Sequence, residues 1–137
     1  MNSIDLLFRS SRFNLSKAAD HFINPCCFGE DLAAWLREKL MQRAIRVDPP
    51  SQEDWGWYLG VGHGGEKYLI GMNGNADEAS ANENHGEWRI IVDKSRSLGQ
   101  RLRGAGKIAQ NDPIVAMIEE VLKSEPDFLD LHRESSR

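Results

Sequence analysis

Two alternating segments around a glycine-rich turn constrain this chain more than any other feature. Bulky residues occupy every second position of the first segment and again of the second: Trp55, Trp57, Leu59 and Val61, then Tyr68, Ile70 and Met72. Successive side chains of a strand point to opposite faces, so this period of two predicts two strands with one bulky face each. Gly64 and Gly65 between them favour a tight turn. We therefore predict an antiparallel β-hairpin over residues 55–72, with its tryptophans in the core.

Two helices are predicted from a different spacing. Residues 29–43 open with two acids, which the helix dipole favours in a first turn, and three leucines then follow at intervals of four residues. Residues 113–122 come directly after Asp112, a capping residue. They begin with a proline, which fits the first position of a helix, and carry a second apolar stripe. Each stripe requires a sheet or another helix to cover it.

Further strands are predicted where apolar residues alternate at residues 4–8 and 88–92, with a short extended piece at 45–47. The predicted fold class is α+β: a mainly antiparallel sheet of three to five strands, with the two principal helices packed on one face. Nothing divides the chain, so residues 1–137 are expected to form a single domain.

Three segments are predicted to lack regular structure. Residues 73–87 are polar and acidic, without a large apolar residue before Trp88, and are expected to form a long loop. Residues 128–131 are expected to add a final packed turn after the last helix, because a proline stops that helix. The tail, residues 133–137, is expected to be frayed.

Composition excludes some classes of function. The 137 residues carry a net charge of −4 with a pI near 5.6, which argues against general affinity for nucleic acid or anionic membranes. No apolar run reaches the length of a membrane span, and no signal peptide is visible. The two cysteines, Cys26 and Cys27, are neighbours and fit buried thiols in a reducing compartment better than a disulfide. We therefore expect a cytoplasmic protein.

No metal or nucleotide site is indicated. The histidines, at positions 21, 63, 85 and 132, show neither the spacing of a zinc helix nor an accompanying Cys-x-x-Cys. The glycines at 104 and 106, followed by Lys107, lack the serine or threonine of a phosphate-binding loop. We expect no cofactor and no metal.

Glu53 and Asp54 form the one carboxylate pair that suggests chemistry. They directly precede Trp55, and aromatic bulk beside two carboxylates could raise a pKa and support acid or base catalysis, with His63 as a further participant. Adjacent residues at the start of a strand usually point to opposite faces, however. A structural role, with one carboxylate accepting backbone N–H bonds of a turn or a helix start, is therefore the favoured explanation of the pair.

Two segments of opposite charge and one tyrosine are candidate contact residues. The loop at 73–87 carries Asp77, Glu78 and Glu83, whereas residues 94–107 carry Arg96, Arg101 and Arg103 with no acid among them. Charged segments of this kind suit electrostatic steering of a protein partner and suit surface solubility as well. Tyr58, flanked by Gly56 and Gly60 on the second face of its strand, could form a flat contact surface or the floor of a small-ligand site.

Residues 22–36 and 52–57 resemble a group of small uncharacterised bacterial proteins. In that group an F-x-N-P-x-C-F-G sequence leads into a helix and an E-D-W-G-W sequence opens a strand, as they do in this chain from Phe22 and from Glu53. The resemblance extends over roughly residues 4–92 and implies no known activity. The size and architecture are also similar to those of small immunity proteins that act by masking a partner, a likeness of fold alone.

The leading hypothesis is a non-catalytic protein-binding module, of the immunity, inhibitor or adaptor type. The alternative is a small enzyme or ligand-binding protein that uses Glu53 and Asp54 near the hairpin. Nucleic-acid binding through residues 94–107 is disfavoured because the segment has no aromatic residue on which bases could stack. A homodimer is left open, and the identity of a partner cannot be read from the sequence.

Overall fold

A computed structural model describes residues 3–13, 28–53, 55–76, 86–95 and 108–135. These ranges contain two helices and seven strands, which are numbered in chain order as follows: β1 Ser3–Ser10, α1 Glu30–Met41, β2 Arg46–Val47, β3 Ser51–Glu53, β4 Gly56–His63, β5 Glu66–Ala76, β6 Gly86–Ser95, α2 Pro113–Lys123 and β7 Leu129–Ser135.

All seven strands belong to one antiparallel sheet, in the order β2-β4-β5-β6-β1-β7, with β3 also pairing with β4. The predicted hairpin is formed by β4 and β5, and Gly64 and Gly65 at its turn have positive φ angles, as a two-residue hairpin loop requires. The α+β class and the antiparallel sheet are confirmed. The sheet has more strands than the three to five predicted.

One face of the sheet, here named the core face, is apolar along four neighbouring strands. Its buried residues recur at every second position: Ile4, Leu6, Phe8, Trp57, Leu59, Val61, Tyr68, Ile70, Met72, Trp88, Ile90 and Val92. Both helices contribute buried side chains to the same cluster, among them Leu32, Leu36, Ile114 and Ile118. Each such side chain contributes about 1.5–3 kcal/mol when it leaves water. The predicted arrangement, with two helices covering one face, is therefore present.

The ends of the two helices follow their sequence signals. In α1 two acids occupy the first turn, and the helix starts after Gly29, whose φ of 140° few other residues adopt. In α2 the Asp112 carboxylate accepts a hydrogen bond from the Ile114 backbone N–H at 2.8 Å. The predicted bounds of both helices are confirmed to within two residues. Within the described ranges, no helix is both long and apolar enough to cross a bilayer.

The C-terminal segment differs from the prediction. Residues 129–135 form a strand that pairs with β1, so a final packed turn at 128–131 and fraying at 133–135 were both wrong. The strand forms because β1 offers an edge that β6 leaves unpaired, and because Arg133 binds both Glu119 on α2 and the Gln110 carbonyl. These contacts join residues that are distant in sequence, so no local sequence pattern predicts this strand.

Contrary to the prediction, the polar stretch at 73–87 is not a loop throughout; residues 77–85 lie outside the described residues, but both ends of the stretch are strand. Asn73 pairs with Arg89 and Ala76 with Gly86, so its two ends belong to β5 and β6. The strands continue beyond the apolar residues from which they were predicted, because cross-strand hydrogen bonds extend the pairing. Gly74, which has no side chain, leaves room there for the Trp88 ring. The extended piece at 45–47 is confirmed as β2.

Candidate functional site

The sheet face turned away from the two helices, here named the open face, is the candidate functional surface. The strand register places its residues in three rows that cross the sheet. The cationic row contains Arg46, Gly62 and Lys67; the middle row contains Gly60, Leu69 and Asp93; the aromatic row contains Tyr58, Gly71 and Ile91. Glycine occupies one position of every row: neighbouring side chains fill the space above Gly60 and Gly71, and the space above Gly62 is open.

Trp55 lies on the open face and not in the core as predicted. Its side chain is 43% exposed, and its ring covers Gly71: a Cβ atom at Gly71 would come within 2.5 Å of the ring. The prediction from alternating residues failed for Trp55 because this residue precedes β4. The strand starts at Gly56, whose φ of 156° changes the direction of the chain at that point. Trp57, one pleat further, is buried as predicted.

Two further residues of the open face extend the apolar surface that Trp55 begins. Tyr58 is half-buried in the aromatic row, on the face opposite Trp57 as its position in the sequence predicts. Leu69 is 42% exposed although it lies in the middle of β5. Trp55, Tyr58 and Leu69 are named the apolar patch below. Large apolar side chains exposed together on a sheet are typical of interaction surfaces.

A groove of about 550 Å³ adjoins the apolar patch at the hairpin end of the open face. Its charged residues have both signs: Arg46 and Lys67 in the cationic row, Asp93 in the middle row, and Asp48 beside that row. Lys94 also lines the groove, but its ammonium is directed to Glu66 and Asp112. Asp48 follows β2 and places its carboxylate over Gly60, where a Cβ atom would come within 2.5 Å of Oδ2. A Cβ atom at Gly62 would meet nothing within 4 Å, so the groove is open above that residue.

These groove charges are not neutralised by one another. Within the part of the chain that the structure describes, the side chains of Arg46, Lys67 and Asp48 form neither an ion pair nor a hydrogen bond. Asp93 accepts one hydrogen bond, from the Lys94 backbone N–H at 2.8 Å. These three charged groups are exposed and have no partner among the described residues, so none of those contacts has to break before a ligand binds.

Glu53 and His63 are not brought together. Glu53 is exposed at one end of β4, opposite Gly56, whereas His63 lies at the other end, opposite Glu66. The seven residue steps from Gly56 to His63 span about 23 Å of strand. Asp54 lies outside the described residues. Over the described ranges, no group of three or more metal-ligating side chains converges.

The remaining predicted contact residues lie outside the described ranges: Asp77, Glu78, Glu83, Arg96, Arg101 and Arg103. Their proposed role in partner binding stays a prediction. Lys94, the first residue of the basic segment, belongs to β6 and reaches Glu66 and Asp112 with its ammonium at 3.9 and 4.0 Å.

A polar cluster on the core face holds α2 against the hairpin. The Tyr68 hydroxyl donates a hydrogen bond to Asp112 Oδ2 at 2.9 Å, and the Lys94 ammonium lies 5.8 Å from the centre of the Tyr68 ring. Burial, together with the hydrogen bond to Asp112 and the negative charge of Asp112 and Glu66, raises the pKa of Tyr68 well above its usual range. Tyr68 is therefore a neutral donor that stabilises the helix terminus, and it is not a base.

A second charged cluster ties the segment after α2 to β1. The Arg12 guanidinium donates to Asp127 and to Glu125, the latter at 2.6 Å, and lies 4.7 Å from the centre of the Phe128 ring. Burial lowers the pKa of Arg12, but its hydrogen bonds to Glu125 and Asp127 and their charges raise that pKa above the ordinary value. The side chain stays cationic in the cluster, so its role is structural.

The groove was missed by sequence reasoning, which singled out charged runs and not isolated charges. Arg46, Asp48, Lys67 and Asp93 come from four separate parts of the chain, and only the register of the sheet brings them together. One signal was available in the sequence: glycines recur on the second face of the hairpin, which leaves that face without bulk.

Comparison with protein-family models, with curated proteins and with solved structures gave no significant match. The functional argument therefore rests on the geometry of the open face.

Proposed function

We propose that this protein is a non-catalytic protein-binding module that engages its partner through the open face of the sheet. The observation that carries the proposal is the exposure of Trp55 and Leu69, at 43% and 42%, on one strand-built surface beside a groove with charges of both signs. Aromatic side chains supply much of the energy of protein interfaces, and a charged rim contributes specificity.

The proposal includes the immunity, inhibitor or adaptor type of role in a bacterial cell. The sequence resemblance to small bacterial proteins favours a bacterial source. A rigid sheet with an accessible face suits a protein that works by covering another surface, because little side-chain or loop ordering is required on binding. Soluble behaviour in the cytoplasm belongs to the same proposal.

The geometry supports the enzymatic alternative less well. A general acid or base needs a second polar group within hydrogen-bond reach of the reacting atoms. Glu53 is exposed, and His63 is about seven strand residues away from it. Across the ranges that are described, neither residue lines the groove. Of the residues on which the enzymatic alternative depends, Asp54 lies outside the described residues, so its part in the alternative stays a prediction.

Capture of the partner from a lysate of the native host tests the proposed function. The bait is the tagged protein, and the test variant is Leu69→Arg, which places a charge in the apolar patch. The matched control is Met41→Arg, because Met41 is an equally large apolar residue, 49% exposed, on α1 and far from the open face. Circular dichroism verifies that both variants are folded.

We expect one stoichiometric protein to be retained by the wild type and by Met41→Arg and lost from Leu69→Arg. A partner that binds all three equally would place the interface elsewhere and contradict the role of the open face. If no protein is retained and turnover or saturable binding of a small molecule depends on Glu53, the enzymatic alternative replaces the proposal.

A further inference from the structure

We infer that the groove recognises an extended segment of the partner that carries an acidic, a basic and an apolar side chain at alternate positions, with the basic residue in the middle. The inference rests on the proposed function and specifies the chemistry of the partner. It is carried by four charged residues of the groove, Arg46, Lys67, Asp48 and Asp93, which have both signs, form no ion pair among the described residues and occupy separate rows of the open face.

The spacing of the rows matches the spacing of side chains in an extended chain. Along β5 the three rows are represented by Lys67, Leu69 and Gly71, with the Trp55 ring over the last. Residues two apart in a strand are separated by about 6.7 Å, and the same holds for residues two apart in a bound extended segment. A segment aligned with β5 therefore presents every second side chain to one row after another.

The cationic row suits a carboxylate. Arg46 and Lys67 flank Gly62 on its two neighbouring strands, so their backbones are about 10 Å apart with open space between them. Long side chains from both sides can converge on one carboxylate above Gly62, and hydrogen bonds between charged groups are the stronger kind. Neither cation has to leave an internal partner within the described chain.

The middle row suits a basic side chain. Asp48 lies over Gly60, and Asp93 lies opposite Leu69, so a carboxylate stands on each side of an exposed leucine. A lysine or arginine buries its aliphatic stem against an apolar side chain and keeps its charge near carboxylates. The next row, with Trp55 and Tyr58, offers apolar surface to the third side chain.

Other occupants fit this pattern less well. A helix does not present residues two apart on one face, so it cannot address successive rows with alternate residues. A nucleic acid or another polyanion would meet Asp48 and Asp93 directly beside the two cations, and like charges that face each other are unfavourable. An extended segment of a protein, with both signs of charge, satisfies each row.

The test uses blocked synthetic peptides of identical composition. One carries Glu, Lys and Leu at alternate positions, the other carries Lys, Glu and Leu, and threonine fills the positions between them. Each is synthesised in both chain directions, because the order of side chains carries the inference. Binding is followed by ¹⁵N–¹H NMR titration of the full-length protein at millimolar peptide, using the amide signals of Gly62, Lys67 and Leu69.

We expect the Glu–Lys–Leu order to bind about tenfold more tightly than the swapped order, since two exposed ion pairs are replaced by two repulsive contacts. A third peptide carries Lys, Lys and Leu at the same alternate positions. The double variant Arg46→Glu/Lys67→Glu should bind this peptide more tightly than the Glu–Lys–Leu peptide, which is the reverse of the order expected for the wild type. That reversal also shows that the variant is folded and that its groove is intact.

Equal binding of the two orders, an unchanged preference in the double variant, or no binding of either peptide would overturn the inference. So would tighter binding of an oligonucleotide or of inorganic phosphate than of the Glu–Lys–Leu peptide. These failures are distinguishable from failure of the proposed function, because loss of the captured protein from Leu69→Arg does not depend on the order of charges in a peptide.

Discussion

The two faces of the sheet are built from the same strands and are used in different ways. Along β5, Tyr68, Ile70 and Met72 on the core face are each at most 4% exposed. Alternating with them, Lys67 and Leu69 on the open face are exposed. Over the hairpin the core face is filled continuously by large side chains, whereas the open face alternates glycine with charges and an apolar patch. On β1, in contrast, the open face carries two buried polar residues, Ser3 and Asp5, which are 4% and 8% exposed. In the hairpin, therefore, the core face supplies most of the stability and the open face is available for recognition.

A pair of glycines in β5 shows the same difference within a few residues. Gly74 on the core face lies against the ring of Trp88, which is 1% exposed, and Gly71 on the open face lies against the ring of Trp55, which is 43% exposed. Both glycines make room for a tryptophan. The first ring is fixed by its neighbours, and the second can move into solvent.

Replacement of neighbouring isoleucines in β6 should produce the largest contrast. Ile90→Ala removes a fully buried side chain from the core face and should lower the free energy of unfolding by about 2–5 kcal/mol. Ile91→Ala, one residue further on the open face, is partly exposed and should cost less than about 1 kcal/mol. Urea denaturation measures both. Similar losses for the two variants would contradict the division of roles between the faces.

The two glycines provide the next contrast. In Gly74→Ala the new Cβ atom would stand 2.5 Å from the fixed Trp88 ring, which should cost about 1–3 kcal/mol of unfolding free energy. Gly71→Ala should leave stability within about 0.5 kcal/mol, because the Trp55 ring can swing away and alanine restricts the unfolded chain more than glycine does.

Chemical denaturation gives the stability of the glycine variants, and tryptophan fluorescence reports the ring that moves. Gly62→Ala is the control, since nothing lies within 4 Å of its Cβ position. An unchanged emission spectrum in Gly71→Ala would show that Trp55 does not respond, and the open face would then be more rigid than its exposure indicates.

How far each element could be predicted depends on where its stabilising contacts lie in the sequence. The hairpin and both helices are encoded by short-range periodicity and by caps such as Asp112, and these were confirmed. Strand β7 depends on β1, more than a hundred residues away, and the position of Trp55 depends on the backbone of Gly56. The groove combines four isolated charges, so it becomes visible only with the register of the sheet.

The pH dependence of stability should differ between the tyrosine on the core face and the tyrosine on the open face. The pKa of Tyr68 is raised in the folded state, so its contribution to stability is complete below about pH 10 and is lost as the pH rises further. Tyr68→Phe should cost about 1 kcal/mol near neutral pH, by loss of the hydrogen bond to Asp112, and should reduce the alkaline decline in stability. Tyr58→Phe, on the open face, is the control. The measurement is the free energy of unfolding at about pH 8 and about pH 11.

A Tyr68→Phe protein that loses stability with alkali as steeply as the wild type would contradict the role assigned to the buried hydroxyl. A Tyr58→Phe protein with the flatter profile would instead assign the alkaline transition to the open face.

The smallest effect is expected for a charge without an ion pair on the open face. Arg46 forms no ion pair with the described residues, so Arg46→Gln should change stability by less than about 0.5 kcal/mol. Arg89 is the comparison: its side chain is 38% exposed, but it binds Asp5, which is only 8% exposed, and it lies 3.5 Å from Glu134 on β7. Arg89→Gln leaves the buried Asp5 carboxylate without its cation and should cost more, about 1–3 kcal/mol. Urea denaturation measures both, and a loss in Arg46→Gln as large as in Arg89→Gln would show that the groove charges also support the fold.

The pairing of β1 with both β6 and β7 has a consequence for synthesis of the chain. Translation produces β1 first, yet both of its neighbours in the sheet come from the second half of the sequence, and β7 is the last strand of all. While the middle of the protein emerges from the ribosome, β1 has neither of its strand partners, and closing such long loops makes folding slow. The nascent chain therefore carries one apolar strand without its sheet partners during that interval, which is the kind of exposed strand edge that favours aggregation.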